Sequence, residues 1–155
     1  EGAFLVIDAR QDAGTAVLGD LILERLKARG IAGVVADGGV RDAEEAIAVG
    51  LPLYATGPAA PAHIVGLAAG DMGTKIGCGG GAGIPGDIIK ADGDGVVVIP
   101  KALAAEVAAA GPPQERYERF AKEKIREGRP IVGVYPPSPE AQAEYAAWID
   151  PEGDG

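Results

Sequence analysis

Apolar residues in this chain come in short runs, and the spacing within them switches between two periods. The run Ala3-Phe4-Leu5-Val6-Ile7, closed by Asp8, predicts a buried strand with a Gly-, Thr- and Asp-containing loop after it. Over residues 18–29 the apolar positions Leu18, Leu21, Ile22 and Leu26 recur at helical spacing. Lys27 and Arg29 fall in the last turn and Gly30 supplies the stop, so a helix is expected there. Residues 31–36 are short, apolar and rich in β-branched side chains, which predicts a second buried strand before the loop Asp37-Gly38-Gly39-Val40-Arg41. Asp42 with Glu45 three residues on has the form of an N-terminal cap for a helix over 43–49, ended by Gly50. Residues 51–55 are the next strand. Strands alternating with helices predict a βαβαβ unit with parallel strands and right-handed crossovers.

The pattern changes after Gly57. Residues 57–87 are rich in Gly, Ala and Pro, and Gly77-Cys78-Gly79-Gly80-Gly81-Ala82-Gly83 predicts no regular element. Residues 87–91 and 95–99 are apolar runs around Asp92-Gly93-Asp94-Gly95, the signature of a β-hairpin. A helix is expected from Pro100 through Ala110, a charged one over 114–127 stopped by Gly128, and a short one over 139–148 beyond Pro136-Pro137. The tail, 150–155, is expected to fray.

Composition narrows the function classes. With 47% hydrophobic and 24% charged residues over 155 positions, the chain can bury a real core. A net charge of -9 with scattered basic residues leaves no footprint for phosphate backbones, so nucleic acid is not an expected partner. A carboxylate substrate would be repelled at long range and needs a local cation, which favours a metal. Cys78 is the single cysteine, which excludes an intramolecular disulfide and a cysteine-rich zinc site. No apolar stretch is long enough to span a bilayer, so no membrane partner is expected and a cytoplasmic setting is the default. The chain opens Glu1-Gly2 without an initiator Met, and it reads as cut from something longer.

In a parallel α/β layer, ligands settle beyond the carboxyl ends of the strands, where helices begin. Asp20 falls in the first turn of the first predicted helix and Arg41-Asp42 at the start of the second. Twenty residues separate Asp20 from Arg41, about one helix, one turn and one strand, which returns the chain to the same edge. Two carboxylates and a guanidinium would then face one crevice beside helix N-termini that favour anions. Plain capping by either aspartate is the competing account. Other polar features have simpler explanations. His63, the only histidine, reads as a surface or loop residue, and Asp87, Asp92 and Asp94 read as turn residues. The glycine run lacks a Gly-Lys-Ser/Thr ending and is no phosphate loop. Cys78 has no base beside it in sequence and reads as a packed thiol.

The spacing of Asp20, twenty residues, then Arg41-Asp42 resembles the Asp-x20-Arg-Asp motif of the RraA-like family of class II pyruvate aldolases and oxaloacetate decarboxylases. Its flanks agree: Gly19-Asp20, Asp37-Gly38-Gly39-Val40, Leu51-Pro52, Pro85-Gly86-Asp87 and Asp92-Gly93-Asp94-Gly95-Val96-Val97-Val98-Ile99-Pro100. The resemblance implies a three-layer β/β/α fold of the swivelling phosphohistidine-domain type, with a βαβ core over 1–112 and a C-terminal helical extension over 113–155. It implies a lyase that releases pyruvate from a 4-hydroxy-2-oxo acid, or decarboxylates oxaloacetate, through an enolate stabilised by Mg²⁺ or Mn²⁺. Asp42 would ligate the metal, and Arg41 would contact the pyruvyl oxygens. Asp20 would pair with a water on the metal that removes the hydroxyl proton. The amides of Gly19, Asp20, Leu21 and Ile22 would hold the pyruvyl carboxylate. Family sites lie between subunits of a homotrimer or homohexamer, where a neighbour's Glu118 or Glu115 would join the outer shell of the metal. The family's other functions leave two alternatives, a non-catalytic protein-binding regulator of ribonuclease activity and a lyase or hydratase acting on sugar-acid derivatives. Longer members carry several dozen residues ahead of the strand at Phe4, so this sequence is expected to be part of a longer chain.

Overall fold

The predicted strands are each followed by a second short strand, and this builds two sheets rather than one. In the computed structural model, which describes residues 2–150, the order is β1 (Phe4–Ile7), β2 (Ala16–Leu18), α1 (Asp20–Ala28), β3 (Gly33–Ala36), β4 (Gly39–Val40), α2 (Ala43–Ala48), β5 (Leu53–Tyr54) and β6 (Gly57–Pro58). One sheet has the order β1-β3-β5 and the other β2-β4-β6, with every pairing parallel as expected. The chain thus climbs one sheet, turns into the other and returns through a helix, twice over.

A single core joins the layers. Leu18 and Val40 from the second sheet, Val34 from the first, Leu23 of α1 and Ala46 of α2 are all buried in one cluster with Val49 and Leu51. Leu23 and Val34 are fully buried, so truncating either to alanine would cost about 2–5 kcal/mol in transfer and cavity terms.

The short strands β2, β4 and β6 and one helical face differ from the sequence expectation. Leu18 belongs to β2 and α1 begins at Asp20; Gly39 and Val40 form β4 inside the expected loop. Because β2 delivers Leu18 to the core, it fixes the rotation of the helix that follows. Leu23 and Leu26 then face inward, while Leu21 and Ile22 are 77% and 53% exposed. Gly30 (φ 77°) and Gly50 (φ 70°) end the helices in left-handed conformations, as anticipated. The Lys27 ammonium also donates to the Val49 carbonyl at the end of α2.

The turn between sheets is too tight for side chains. A methyl at Gly38 would stand 2.6 Å from Ala9 Cβ, and one at Gly39 would stand 2.4 Å from Ala59 Cβ. Glycine at both positions is therefore a packing requirement of the corner.

The glycine-rich stretch is ordered, contrary to its propensity. β7 (Ile76–Cys78) and β8 (Gly81–Gly83) pair antiparallel. Gly79 and Gly80 both adopt positive φ, 57° and 83°, which a two-residue hairpin turn demands at both central positions. The expected second hairpin is present as β9 (Ile88–Asp92) and β10 (Gly95–Ile99). Asp87 and Asp92 are turn residues: Asp87 accepts from Ile84 N and Lys101 N, and Asp92 from Asp94 N, each at 3.0 Å.

The chain divides after Lys101 into two compact units. In the second, α3 (Ala104–Arg126) runs continuously through Pro112 and Pro113, where two helices were expected. Its first half is largely exposed, so water can satisfy the carbonyls the prolines leave unbonded. The second half packs Phe120 with Tyr117, Tyr145 and Trp148, drawing in α4 (Pro139–Ala147), whose N-cap Ser138 accepts from Ala141 N at 3.2 Å. Asp150, expected to fray, is buried and accepts from Arg119 at 2.6 and 3.0 Å. The rest of that tail, 151–155, lies outside the described residues. Among the described residues, no helix is long and apolar enough to cross a membrane.

Candidate functional site

All three strands of the second sheet end on one edge. Beyond their last paired residues the register continues, with Arg41 N donating to Leu18 O at 3.0 Å and Ala59 N to Val40 O at 2.9 Å. Gly19, Arg41 and Ala59 therefore form a row across the sheet, and Asp20 and Asp42 follow one residue later. Ala59 was not singled out from sequence, because an alanine after a two-residue strand carries no signal.

Neither aspartate is a side-chain cap. Asp20 is the first residue of α1; Gly19 holds the cap position with an extended backbone and no side-chain bond. The amides of Asp20, Leu21 and Ile22 precede the first intrahelical bond, from Leu23 N to Gly19 O at 3.2 Å, so α1 opens toward this edge with its anion-favouring end. Asp42 stands at the cap position of α2, but its backbone is left-handed, φ 53° and ψ 50°, and its side chain makes no cap bond. A capping side chain needs an extended backbone to fold back over the first turn. The left-handed turn points the carboxylate elsewhere, and the expected Asp42–Glu45 cap does not form. For a residue with a Cβ this conformation costs about 1–2 kcal/mol, and such strain collects at functional sites.

The Asp42 carboxylate comes to rest against the row. Its Oδ2 lies 3.5 Å from the Arg41 guanidinium. A methyl placed on Gly19 would stand 3.0 Å from the same oxygen and 3.6 Å from Arg41 Cβ. Both charged side chains are nearly half exposed, 46% and 43%, so the pair contributes at most about 1 kcal/mol and leaves the carboxylate available. The structure thus brings Gly19, Arg41 and Asp42 together, with Asp20 beside them. Glu115 and Glu118 belong to α3 in the second unit, where Glu118 accepts from the Gln114 amide at 3.0 Å and Glu115 is exposed. No group of three or more His, Cys, Asp or Glu among the described residues is placed to hold a metal. A lone available carboxylate suits a hard ion that keeps most of its waters, as Mg²⁺ does, and does not suit zinc.

A second polar cluster lies at the carboxyl ends of β1 and β3. Asp37 is 6% exposed; it accepts from Ala9 N at 2.5 Å and from Gly79 N at 3.2 Å. Asp8 accepts from Arg10 N at 2.9 Å and Gly77 N at 3.3 Å. They border a cavity of about 350 Å³ with Arg10 and Gln11, both left-handed, but each carboxylate oxygen already accepts a backbone amide: one of each aspartate pins the β7–β8 hairpin, and the other holds the loop after β1. The sequence held a signal for Asp37, since an acid closing a fully buried strand must find donors. Cys78 lies in that hairpin. Burial, then the neighbouring Asp37 charge, pushes its thiol above the usual range, which leaves it a poor nucleophile. His63 sits exposed on a 3₁₀ turn.

The aldolase/RraA pattern of the RraA-like family matches residues 1–98. A protein of Halalkalibacterium halodurans named "Putative 4-hydroxy-4-methyl-2-oxoglutarate aldolase" is 42% identical over 101 residues, 64% of this chain and 47% of that protein. A solved structure of an uncharacterised protein from Pseudomonas syringae pv. tomato superposes with TM-score 0.79 at 28% identity, covering 87% of this chain and 68% of that one. Streptomyces coelicolor RraAS2, described as an unusual member of the RNase ES inhibitor RraA family, gives TM-score 0.69 at 31% identity over 78% of this chain and 62% of its own. The chain spans about half the length of the curated relatives it matches. With its two parallel sheets, its helices and a family pattern that covers most of its length, this chain belongs to the RraA-like family.

Proposed function

We propose that this chain carries the site of a divalent-metal-dependent carbon–carbon lyase that releases pyruvate from a 4-hydroxy-2-oxo acid and decarboxylates oxaloacetate. The observation that supports it most is Asp42, held left-handed with an uncapped, half-exposed carboxylate beside Arg41 and the start of α1. A fold that needed only a helix cap there would not strain the backbone to give up the cap bond.

Asp42 would hold Mg²⁺ or Mn²⁺. When bound, the ion supplies Lewis-acid polarisation of the substrate's 2-oxo group. The uncapped amides of residues 20–22 bind the pyruvyl carboxylate. In retro-aldol cleavage Asp20, acting through water, accepts the proton of the 4-hydroxyl. The C3–C4 bond breaks, the C4 fragment leaves as a carbonyl compound, and the bonding pair becomes the enolate of pyruvate. Arg41 stabilises the charge on the enolate oxygen. In oxaloacetate decarboxylation the same C3–C4 bond breaks with loss of CO₂, and no hydroxyl proton is removed. Protonation at C3 yields pyruvate in both cases. Glu115 or Glu118 from a neighbouring copy would complete the site in a homotrimer or homohexamer. The exposed Leu21 and Ile22, next to the site, suit such a covered edge.

The test is pyruvate release from oxaloacetate and from 4-hydroxy-4-methyl-2-oxoglutarate, coupled to a dehydrogenase, with Mg²⁺ or Mn²⁺ and again with excess chelator. Metal-dependent release above the metal-only background is expected. The similarity to RraAS2, described as belonging to an RNase inhibitor family, favours one other reading, a protein-binding regulator. Absence of release by the folded full-length oligomer, together with inhibition of a ribonuclease E-type enzyme, would establish that one instead.

A further inference from the structure

Gly19 has no backbone reason to be glycine. Its φ of -136° and ψ of -171° are extended values that any residue adopts. It also occupies the cap position of α1, where Ser, Asp, Asn or Thr would bond a free amide. Glycine is accepted at a cap but gives up that bond, and what surrounds its missing side chain gives a second reason for it. The nearest obstacle to a Cβ is not the backbone or the core but Asp42 Oδ2, at 3.0 Å; Arg41 Cβ and O follow at 3.6 and 3.7 Å. Asp42 cannot retreat as a whole, because its left-handed backbone is fixed between β4 and α2, with its carbonyl accepting from Ala46 N at 2.7 Å. Only its carboxylate can give way.

We propose that Gly19 is a positioning residue, whose missing side chain lets the Asp42 carboxylate settle against the start of α1 in its working position. A Cβ at residue 19 would displace that carboxylate by a few tenths of an ångström. That is little to the fold, but metal–ligand distances are specified to within about 0.2 Å. The inference rests on the proposed role of Asp42 for its functional consequence, though not for its geometry.

Two measurements on the full chain separate the geometry from the metal. In the metal-free protein, the Asp42 side-chain carboxyl ¹³C resonance should move in Gly19→Ala while that of Asp37 stays in place. Mn²⁺ binding, followed by water-proton relaxation, should weaken by about tenfold or more in Gly19→Ala, with the melting temperature almost unchanged. Gly111→Ala, whose Cβ meets nothing within 4 Å, is the control and should bind as the wild type does. An unmoved Asp42 resonance overturns the proposal, and so, where the wild type binds Mn²⁺, does an equal affinity in Gly19→Ala. A moved resonance in a protein whose wild type binds no Mn²⁺ upholds the positioning role and removes the metal from Asp42.

Discussion

Asp37 and Asp42 stand five residues apart, one just after β3 and the other at the start of α2, and they have opposite fates. Asp37 sits at the corner between sheets, 6% exposed, with Ala9 N and Gly79 N on its two oxygens. Asp42 sits at the open edge, nearly half exposed, with no cap bond and only a 3.5 Å contact to Arg41. A buried carboxylate is tolerable only when its oxygens are engaged, so Asp37 holds structure together and has nothing left to offer a ligand. Asp42 spends backbone strain to keep its carboxylate unengaged. One aspartate is completed by its fold, and the other is left for something from outside.

The largest effects should fall on activity at the open edge. Asp42→Ala and Arg41→Ala are each expected to lower pyruvate release by about 10²–10³-fold or more, the loss that follows removal of one preorganised electrostatic group. Circular dichroism and melting temperature should stay near wild type, since neither side chain is buried. Near-normal rates in either variant would remove the lyase mechanism. At the corner the pattern should invert. Asp37→Ala leaves the Ala9 and Gly79 amides without acceptors in a partly dry corner, which should cost about 3 kcal/mol. Chemical denaturation measures that loss, and activity per folded molecule should fall far less than in Asp42→Ala. An equal collapse of activity in folded Asp37→Ala would mean the two aspartates are not the separate devices they look to be.

Asp20 sharpens the comparison within the site itself. If it takes the hydroxyl proton, Asp20→Ala should slow aldol cleavage by about 10²-fold more than decarboxylation, the low end of the 10²–10⁴-fold that general-base catalysis contributes. Decarboxylation has no such proton to move. Equal losses in the two reactions would assign Asp20 to binding or to α1 rather than to proton transfer.

Much of this was legible in the residues. β1, β3, the β9–β10 hairpin and the glycine stops at Gly30 and Gly50 follow from apolar runs and turn chemistry. The return of Asp20 and Arg41-Asp42 to one edge follows from counting one helix and its strand. β2 and β4 were not legible, because strands of three and two residues have no period to detect. Without β2 the α1 face is also misplaced, since apolar spacing alone counts Leu18 into the helical stripe that Leu23 and Leu26 in fact make. The β7–β8 hairpin hid behind glycine, which carries no propensity for strand yet is the residue its turn requires. Its anchors are 69 and 42 residues away in sequence, at Asp8 and Asp37, and no local pattern shows such a contact.

The smallest expected effect is the most direct test of strain at Asp42. Glycine adopts φ near 53° without the clash between Cβ and carbonyl that any L side chain meets there. Asp42→Gly should therefore stabilise the folded state by about 1 kcal/mol, reduced by the extra freedom glycine gives the unfolded chain. Asp42→Ala keeps the Cβ and the strain, and should gain nothing. The difference between these two variants in denaturant midpoint isolates the backbone term, because both lose the carboxylate and its weak contact to Arg41. A gain in Asp42→Gly alone, in a protein with no remaining activity, would show stability given up for the site. No difference between the variants would mean the left-handed turn costs nothing at this position, and the strain could no longer be used to single out Asp42 as functional.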